Sequence, residues 1–312
     1  MLPEKYGHGW LVGDLQGSLH LWQPQNVRPF ESLNGHHPRE CWGLAWATDG
    51  ESLFSVGDDH QLRAWDVSAF SEKRAVNAGT TLVSCVAVSP NGQYVATGGY
   101  DEQVRLFRVS DLELISQSAG HTHDIRTLAF SSDGHRLATA GRDRTIRLWN
   151  VPDLTPIKVL EGHTDTIRTL RWMANGNLVS SDSNEQILMW NSAGQIVAKK
   201  DEADGVHALE FAPAGVRFVS ELSLPDNKTD SLVSTSPREE LLVIGTRHGT
   251  IRFLHLPTNR VLSEIRSPDT EVRCLTFSHD GKTLVTGNGD GSVRFFRYRL
   301  NAKSYDLKTK RP

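Results

Sequence analysis

The stretch GHTHDIRTLAFSSDGHRLATAGRDRTIRLWN, residues 120–150, decides how the rest of the chain is read. Three short alternating runs lie in it, at 125–130, 137–140 and 145–149, and two turn clusters separate them, Ser131-Ser132-Asp133-Gly134 and Gly141-Arg142-Asp143-Arg144. An amphipathic helix needs about ten residues or more, so runs this short read as strands. A Gly-His pair opens the stretch, an Asp sits at the second turn, and Trp149-Asn150 closes it.

Laid over the whole chain, the unit puts a large apolar residue at the end of every third strand: Trp22, Trp65, Phe107, Trp149, Trp190, Leu254 and Phe296. The spacings are 43, 42, 42, 41, 64 and 42. In this phase the Gly-His start, the turn Asp and the Trp-Asn end resemble the WD-repeat family, whose units run to roughly 40–45 residues. The resemblance implies an all-β fold: a seven-bladed β-propeller of four-stranded antiparallel blades, with the first blade incomplete. It covers residues 1–312 as a single domain whose core is shared out among the blades.

Two regions depart from the pattern. Residues 10–22 align with 137–149 and supply a second and third strand, but only nine residues precede them, too few for a first strand and its lead-in. Either residues 304–307 double back as the missing strand, or the chain is the C-terminal module of a longer protein; the second is expected, because the alignment is so regular. In the sixth repeat both 206–220 and 231–237 read as a first half, which accounts for the 64-residue interval and places an insertion near 214–239 with LPDNKTD as its loop. Beyond Phe296 a basic tail, 301–312, is expected to fray.

Apolar residues make up 38% and charged residues 23%, as half-polar strands require, and a net charge of −3 points to neither a nucleic-acid nor a membrane partner. No apolar run approaches the length of a membrane span, and the start MLPEKYGHGW has no signal-peptide shape, so a cytoplasmic location is expected. Cys41, Cys85 and Cys274 all fall in first strands and read as reduced, buried thiols.

The resemblance also implies a hydrogen-bonded network across each blade, formed by His121, Thr139, Asp143 and Trp149 in repeat four and by His37, Ser55, Asp59 and Trp65 in repeat two. Repeat three keeps Thr97 and Asp101 with Gly79 at the His position. Repeat five keeps His163, Ser180 and Trp190, with Asn184 standing for the Asp; repeat seven keeps Thr286 and Asp290 with Pro268 for the His. Repeats one and six lose the set, so blades one, six and seven should open more easily than two and four. Hydroxyl, His and Asp together invite a hydrolase reading. These positions recur inside sheets, however, and lack an exposed nucleophile beside an oxyanion hole, so no catalysis is expected. No phosphate loop, metal motif or Cys pair occurs, and no cofactor or metal is expected.

Two further columns border the network. The residue before the turn Asp reads Asp58, Tyr100, Arg142, Ser183, Arg247 and Gly289 from repeat two onward, and the second residue of each first strand reads Trp42, Ser84, Arg126, Arg168, His207 and Arg273. Aromatic residues and Arg are the types enriched at binding hot spots. The expectation is a monomeric, non-catalytic scaffold that holds protein partners on its top face and rim through Trp42, Asp58, Tyr100, Arg126, Arg142, Arg168, His207, Arg247 and Arg273. The alternative is a phosphoprotein or polyanion binder using the same arginines; a propeller enzyme is the less favoured third.

Overall fold

The computed structural model describes residues 10–13, 19–22, 31–33, 40–66, 69, 71–184, 186–202, 205–212, 217–223, 229–235, 241–258, 260–266, 270–277, 283–290 and 292–297. His37, Pro268, the tail 301–312 and the loop 224–228 lie outside them. The chain forms two compact units, Met1–Lys199 and Lys200–Pro312.

The first unit is a succession of antiparallel sheets, each strand pairing with the next in sequence. Repeat one supplies three strands, β1 (Trp10–Gly13), β2 (Leu19–Trp22) and β3 (Glu31–Leu33). Repeat two supplies four: β4 (Cys41–Trp46), β5 (Ser52–Gly57), β6 (Gln61–Asp66) and β7 (Ser71–Asn77). Repeat three follows with β8 (Val83–Val88), β9 (Tyr94–Gly99), β10 (Gln103–Arg108) and β11 (Leu114–Ala119). Repeat four holds β12 (Ile125–Phe130), β13 (Arg136–Gly141), β14 (Thr145–Asn150) and β15 (Pro156–Glu161). Repeat five holds β16 (Ile167–Trp172), β17 (Leu178–Asp182), β18 (Gln186–Trp190) and β19 (Ile196–Asp201).

Burial explains the strand types. Second strands such as β13 are buried at every residue after the first, because both faces meet a neighbouring sheet. Fourth strands such as β15 and β19 are exposed along most of their length. The apolar residues gather into layers between successive sheets. Ala96, Val104 and Leu106 of repeat three pack with Leu137 and Trp149 of repeat four, and Ala138, Ala140 and Ile146 of repeat four pack with Leu170, Leu188 and Trp190 of repeat five. The turn after the third network position is tight. His60, Glu102 and Arg144 take positive φ there (65°, 64° and 65°), and the preceding Asp holds each turn by accepting the N–H of the residue beyond it.

The second unit resolves the strained sixth repeat. The first strand is β20 (Val206–Phe211), and β21 (Arg217–Ser223) with β22 (Thr229–Thr235) forms a separate two-stranded ribbon. Residues 231–235 are therefore not a second copy of a first strand, because β20 pairs directly with β23 (Leu241–Thr246), followed by β24 (Thr250–His255) and β25 (Arg260–Arg266), and 236–237 lie outside the described residues. The ribbon is the insertion, and Thr229 and Asp230, read as loop from the sequence, belong to β22. Repeat seven contributes β26 (Val272–Phe277), β27 (Thr283–Asn288) and β28 (Val293–Arg297). Cys85 is buried, Cys41 half-buried and Cys274 exposed as a residue, although burial of its sulfur pushes the Cys274 thiol up.

Candidate binding face and its polar frame

The first strands share a feature that alternation alone does not announce. In β4 the pairing passes from Cys41↔Gly57 to Gly43↔Val56, leaving Trp42 as the extra residue of a β-bulge. The same slip leaves out Ser84 in β8, Arg126 in β12, Arg168 in β16, His207 in β20 and Arg273 in β26. A bulge kinks the strand and turns one side chain out of the alternation. One whole sequence column is thereby lifted from the sheets, while the residue before each bulge (Cys41, Val83, Ile125, Ile167, Val206, Val272) stays apolar.

In the first unit these residues have different fates. Trp42 is 42% exposed. Ser84 is buried and its Oγ donates to the Ile125 carbonyl at 2.5 Å, so it ties β8 to β12 rather than facing a partner. Arg126 lies 4.5 Å over the Tyr100 ring and its Nη2 is 3.1 Å from Asp124 Oδ2. Arg142 reaches the same carboxylate oxygen at 3.9 Å with its side chain 63% exposed. Arg168 Nε donates to Ser183 Oγ at 2.7 Å, and Asp58 is half-buried. In the second unit Glu271 accepts from Arg273 Nε at 2.5 Å and lies 3.4 Å from His207 Nδ1, while Arg247 is exposed. Glu271 was not picked out from the sequence. Its position, one residue before β26, matches Asp124 before β12, and that shared offset was the available signal. Carboxylates thus stand beside several of these arginines, Asp124 beside Arg126 and Arg142 in the first unit and Glu271 beside Arg273 in the second.

A polar frame lies within the same sheets. In repeat four His121 Nδ1 meets Asp143 Oδ2 at 2.7 Å, His121 Nε2 meets Thr139 Oγ1 at 2.7 Å, and Trp149 Nε1 donates to Thr139 Oγ1 at 2.8 Å. Every group is satisfied when the proton of a neutral His121 sits on Nδ1: Nδ1–H donates to Asp143, the Thr139 hydroxyl donates to Nε2, and the indole donates to that hydroxyl. Burial works against ionisation of Asp143, but its bond to His121 and the N–H groups of Thr145 and Thr122 outweigh this and hold the carboxyl at about 2. Thr139 and Ser180 are wholly buried with their hydroxyls shared between a His and a Trp, so these groups frame the sheet.

Several assignments change. In repeat five the carboxylate is Asp182, not Asn184: its Oδ2 lies 3.0 Å from His163 Nδ1, and His163 Nε2 meets Ser180 Oγ at 2.6 Å. Against its own burial, the His163 bond keeps the Asp182 carboxyl below the ordinary carboxylate range. Asn184 instead donates to Thr164 Oγ1. In repeat six the network is replaced rather than lost. Glu202 stands four residues before its first strand, where His121 and His163 stand in theirs, and it pairs with Arg252, which also meets Glu264 at 2.9 Å. In repeat seven Thr286 Oγ1 has no partner among the described residues, and Asp290 is 3.4 Å from Arg294. Repeat three likewise leaves Thr97 Oγ1 unpartnered and gives Asp101 to Arg105 at 2.8 Å. In repeat two Trp65 Nε1 donates to Ser55 Oγ at 2.8 Å, and Asp59 holds Arg63 at 2.7 Å.

The repeating frame of hydroxyl, carboxylate and indole agrees with what a scan of known families finds. The WD domain, G-beta repeat family matches residues 27–66, 73–108, 112–150 and 154–191, and the anaphase-promoting complex subunit 4 WD40 domain matches 233–310. The chain belongs to the WD-repeat family. Among its relatives, meiotic recombination protein rec14 of Schizosaccharomyces pombe is 26% identical over 82 residues, 26% of this chain and 27% of that protein. Protein HIR1 of Mycosarcoma maydis is 36% identical over 89 residues, 28% of this chain and 8% of that protein. U3 small nucleolar RNA-associated protein 12 of Saccharomyces cerevisiae is 23% identical over 124 residues, 39% of this chain and 11% of that protein. The similarity spans well under half the length of each. WD repeats serve in general as protein-interaction scaffolds.

Proposed function

We propose that this WD-repeat chain is a non-catalytic scaffold that binds a partner protein through its bulge column and the adjoining turns, with Trp42, Asp58, Tyr100, Arg142 and Arg168 as the contact residues of the first unit. One observation carries the reading: a bulge at one fixed place in six first strands, bearing Trp, Ser, Arg, Arg, His and Arg. Residues that serve packing stay alike from repeat to repeat, as the apolar residue before each bulge does. Variety at a fixed geometry is what recognition of one particular surface needs.

Asp124 beside Arg126 and Arg142 in the first unit, and Glu271 beside Arg273 in the second, favour a partner of mixed charge over a polyanion, since a carboxylate beside a cation opposes phosphate. The names of the relatives, a meiotic recombination protein and a small nucleolar RNA-associated protein among them, leave the compartment wider than the cytoplasm. No helix among the described residues is long and apolar enough to cross a membrane. The test is affinity capture from native lysate at several salt concentrations, with mass-spectrometric identification. Arg142→Glu with Arg168→Glu should abolish capture of the wild-type partner without lowering the melting temperature, whereas Lys199→Glu should leave capture intact. Loss of capture with Lys199→Glu alone would overturn the reading, and a steep fall with salt would favour the polyanion alternative.

A further inference from the structure

Two residues before the large apolar residue of the third strand stands an Arg in five repeats, and four of these arginines have carboxylate partners. Arg63 pairs with Asp59 and Glu72, Arg105 with Asp101, Arg252 with Glu202 and Glu264, and Arg294 with Asp290. Arg147, on β14, makes no ion pair among the described residues. Its natural partner, Asp143, is held by His121. The buried Nε of Arg147 and, two residues earlier on the same face, the buried Oγ1 of Thr145 both lack a hydrogen-bond partner there. Opposite Arg147 on β15 stands Val159, where repeat six puts Glu264 opposite Arg252. Glu161, the nearest carboxylate on β15, is paired with Thr145 in the register and forms no ion pair among the described residues.

The strand beside this cation is also open. β15 is the last strand of its sheet, and Ile157 and Val159 on it are 44% and 40% exposed. A lysine often guards such an edge against added strands. Here Lys158 is turned aside, its Nζ donating to the Ala193 carbonyl at 2.6 Å.

We propose that β15 and Arg147 form a docking edge for an extended, acidic and apolar segment of a partner protein. The segment adds as a strand along β15 past the bulge at Ile157, sets a glutamate opposite Val159 to pair with Arg147, and rests the apolar side chains that flank this glutamate on the exposed Val159 and Ile157. Adjacent strands lie about 4.8 Å apart, so that glutamate is about 10 Å from Arg147 between Cα atoms, within the joint reach of two long side chains. This edge is separate from the bulge column, and neither reading depends on the other.

The test uses the full chain and two fluorescein-labelled decapeptides of alternating valine and threonine, one with a glutamate and the other with a lysine in place of a central valine, followed by fluorescence anisotropy. The glutamate peptide should bind at least about tenfold more tightly than the lysine peptide and weaken as salt is raised. Arg147→Leu should cost it about tenfold. Leucine is what repeat five carries at this register, as Leu188, so the variant is expected to fold. Should its melting transition be lost, Val159→Asp at the exposed position carries the same expectation. Lys199→Glu should have no effect. The proposal is overturned if neither peptide binds, if both bind alike, if Arg147→Leu and Val159→Asp leave the affinity unchanged, or if Lys199→Glu is the variant that abolishes it.

Discussion

Replacing Asp182 by Ala removes the acceptor on which the inner half of repeat five converges. Its Oδ2 accepts from Thr164 N at 3.2 Å and meets His163 Nδ1 at 3.0 Å, and its Oδ1 accepts from Asn184 N and Gln186 N, both at 3.0 Å. The carboxylate is wholly buried, so water cannot take its place at the His163 ring. Hydrogen bonds to a charged group are worth about 1.5–3 kcal/mol each and do not add, and stranding the partners of a buried charge costs about 3–5 kcal/mol; the expected loss is about 4 kcal/mol. Asn184→Ala removes one exposed bond, to Thr164 Oγ1 at 3.1 Å, and should cost less than about 1 kcal/mol. Urea titration followed by tryptophan fluorescence reads both, and hydrogen exchange should place the loosening in β16, β17 and β18. Equal losses for the two variants would refute the assignment of Asp182 to the network.

Other expectations rest on the same frame. The Asp143 carboxyl, at about 2 in the folded chain against an ordinary 3.8, contributes stability that is fully present above the unfolded value and is lost as pH falls from about 4 to 2. The shift corresponds to about 2 kcal/mol, so the stability gap between wild type and Asp143→Asn in urea should shrink by about that much over this range. Glu202→Gln should cost about 2 kcal/mol in a thermal melt, less than a full break of a buried pair because Arg252 keeps Glu264; no change would mean the replacement network carries no stability. Burial pushes the Cys85 thiol up to about 12, so iodoacetamide at pH 8 should leave Cys85 unmodified in the folded chain and label it only after denaturation, as read by peptide mass spectrometry.

Much of the architecture was legible because it repeats. The strand runs, the third-strand residues from Trp22 to Phe296 and the extra stretch in repeat six all follow from period and alternation. What stayed hidden involves chemistry carried by a residue of the wrong type or in the wrong register. Repeat five is short, and alignment by position put Asn184 where a carboxylate was wanted. The side chain of Asp182, at the end of β17 and paired with Ile167, reaches the same histidine from a different backbone position. Repeat six looked empty because its histidine is gone, yet Glu202 and Arg252 exchange the donor and acceptor roles and fill the space with an ion pair. The bulges left no mark because Cys41-Trp42-Gly43 and Ile125-Arg126-Thr127 read as ordinary alternation; only the pairing partners reveal that Trp42 and Arg126 have no residue opposite them. The two copies of a first half, 206–220 and 231–237, could be told apart only by Val206 meeting Thr246.

If the bulge column meets the partner, hydrogen exchange of the captured complex against the free chain will show it at that column. Slowed exchange is expected in the peptides carrying Trp42, Tyr100, Arg126, Arg142 and Arg168, with β7 and β19 unchanged. Slowed exchange confined to β7, β11 or β19, with those peptides unaltered, would contradict it.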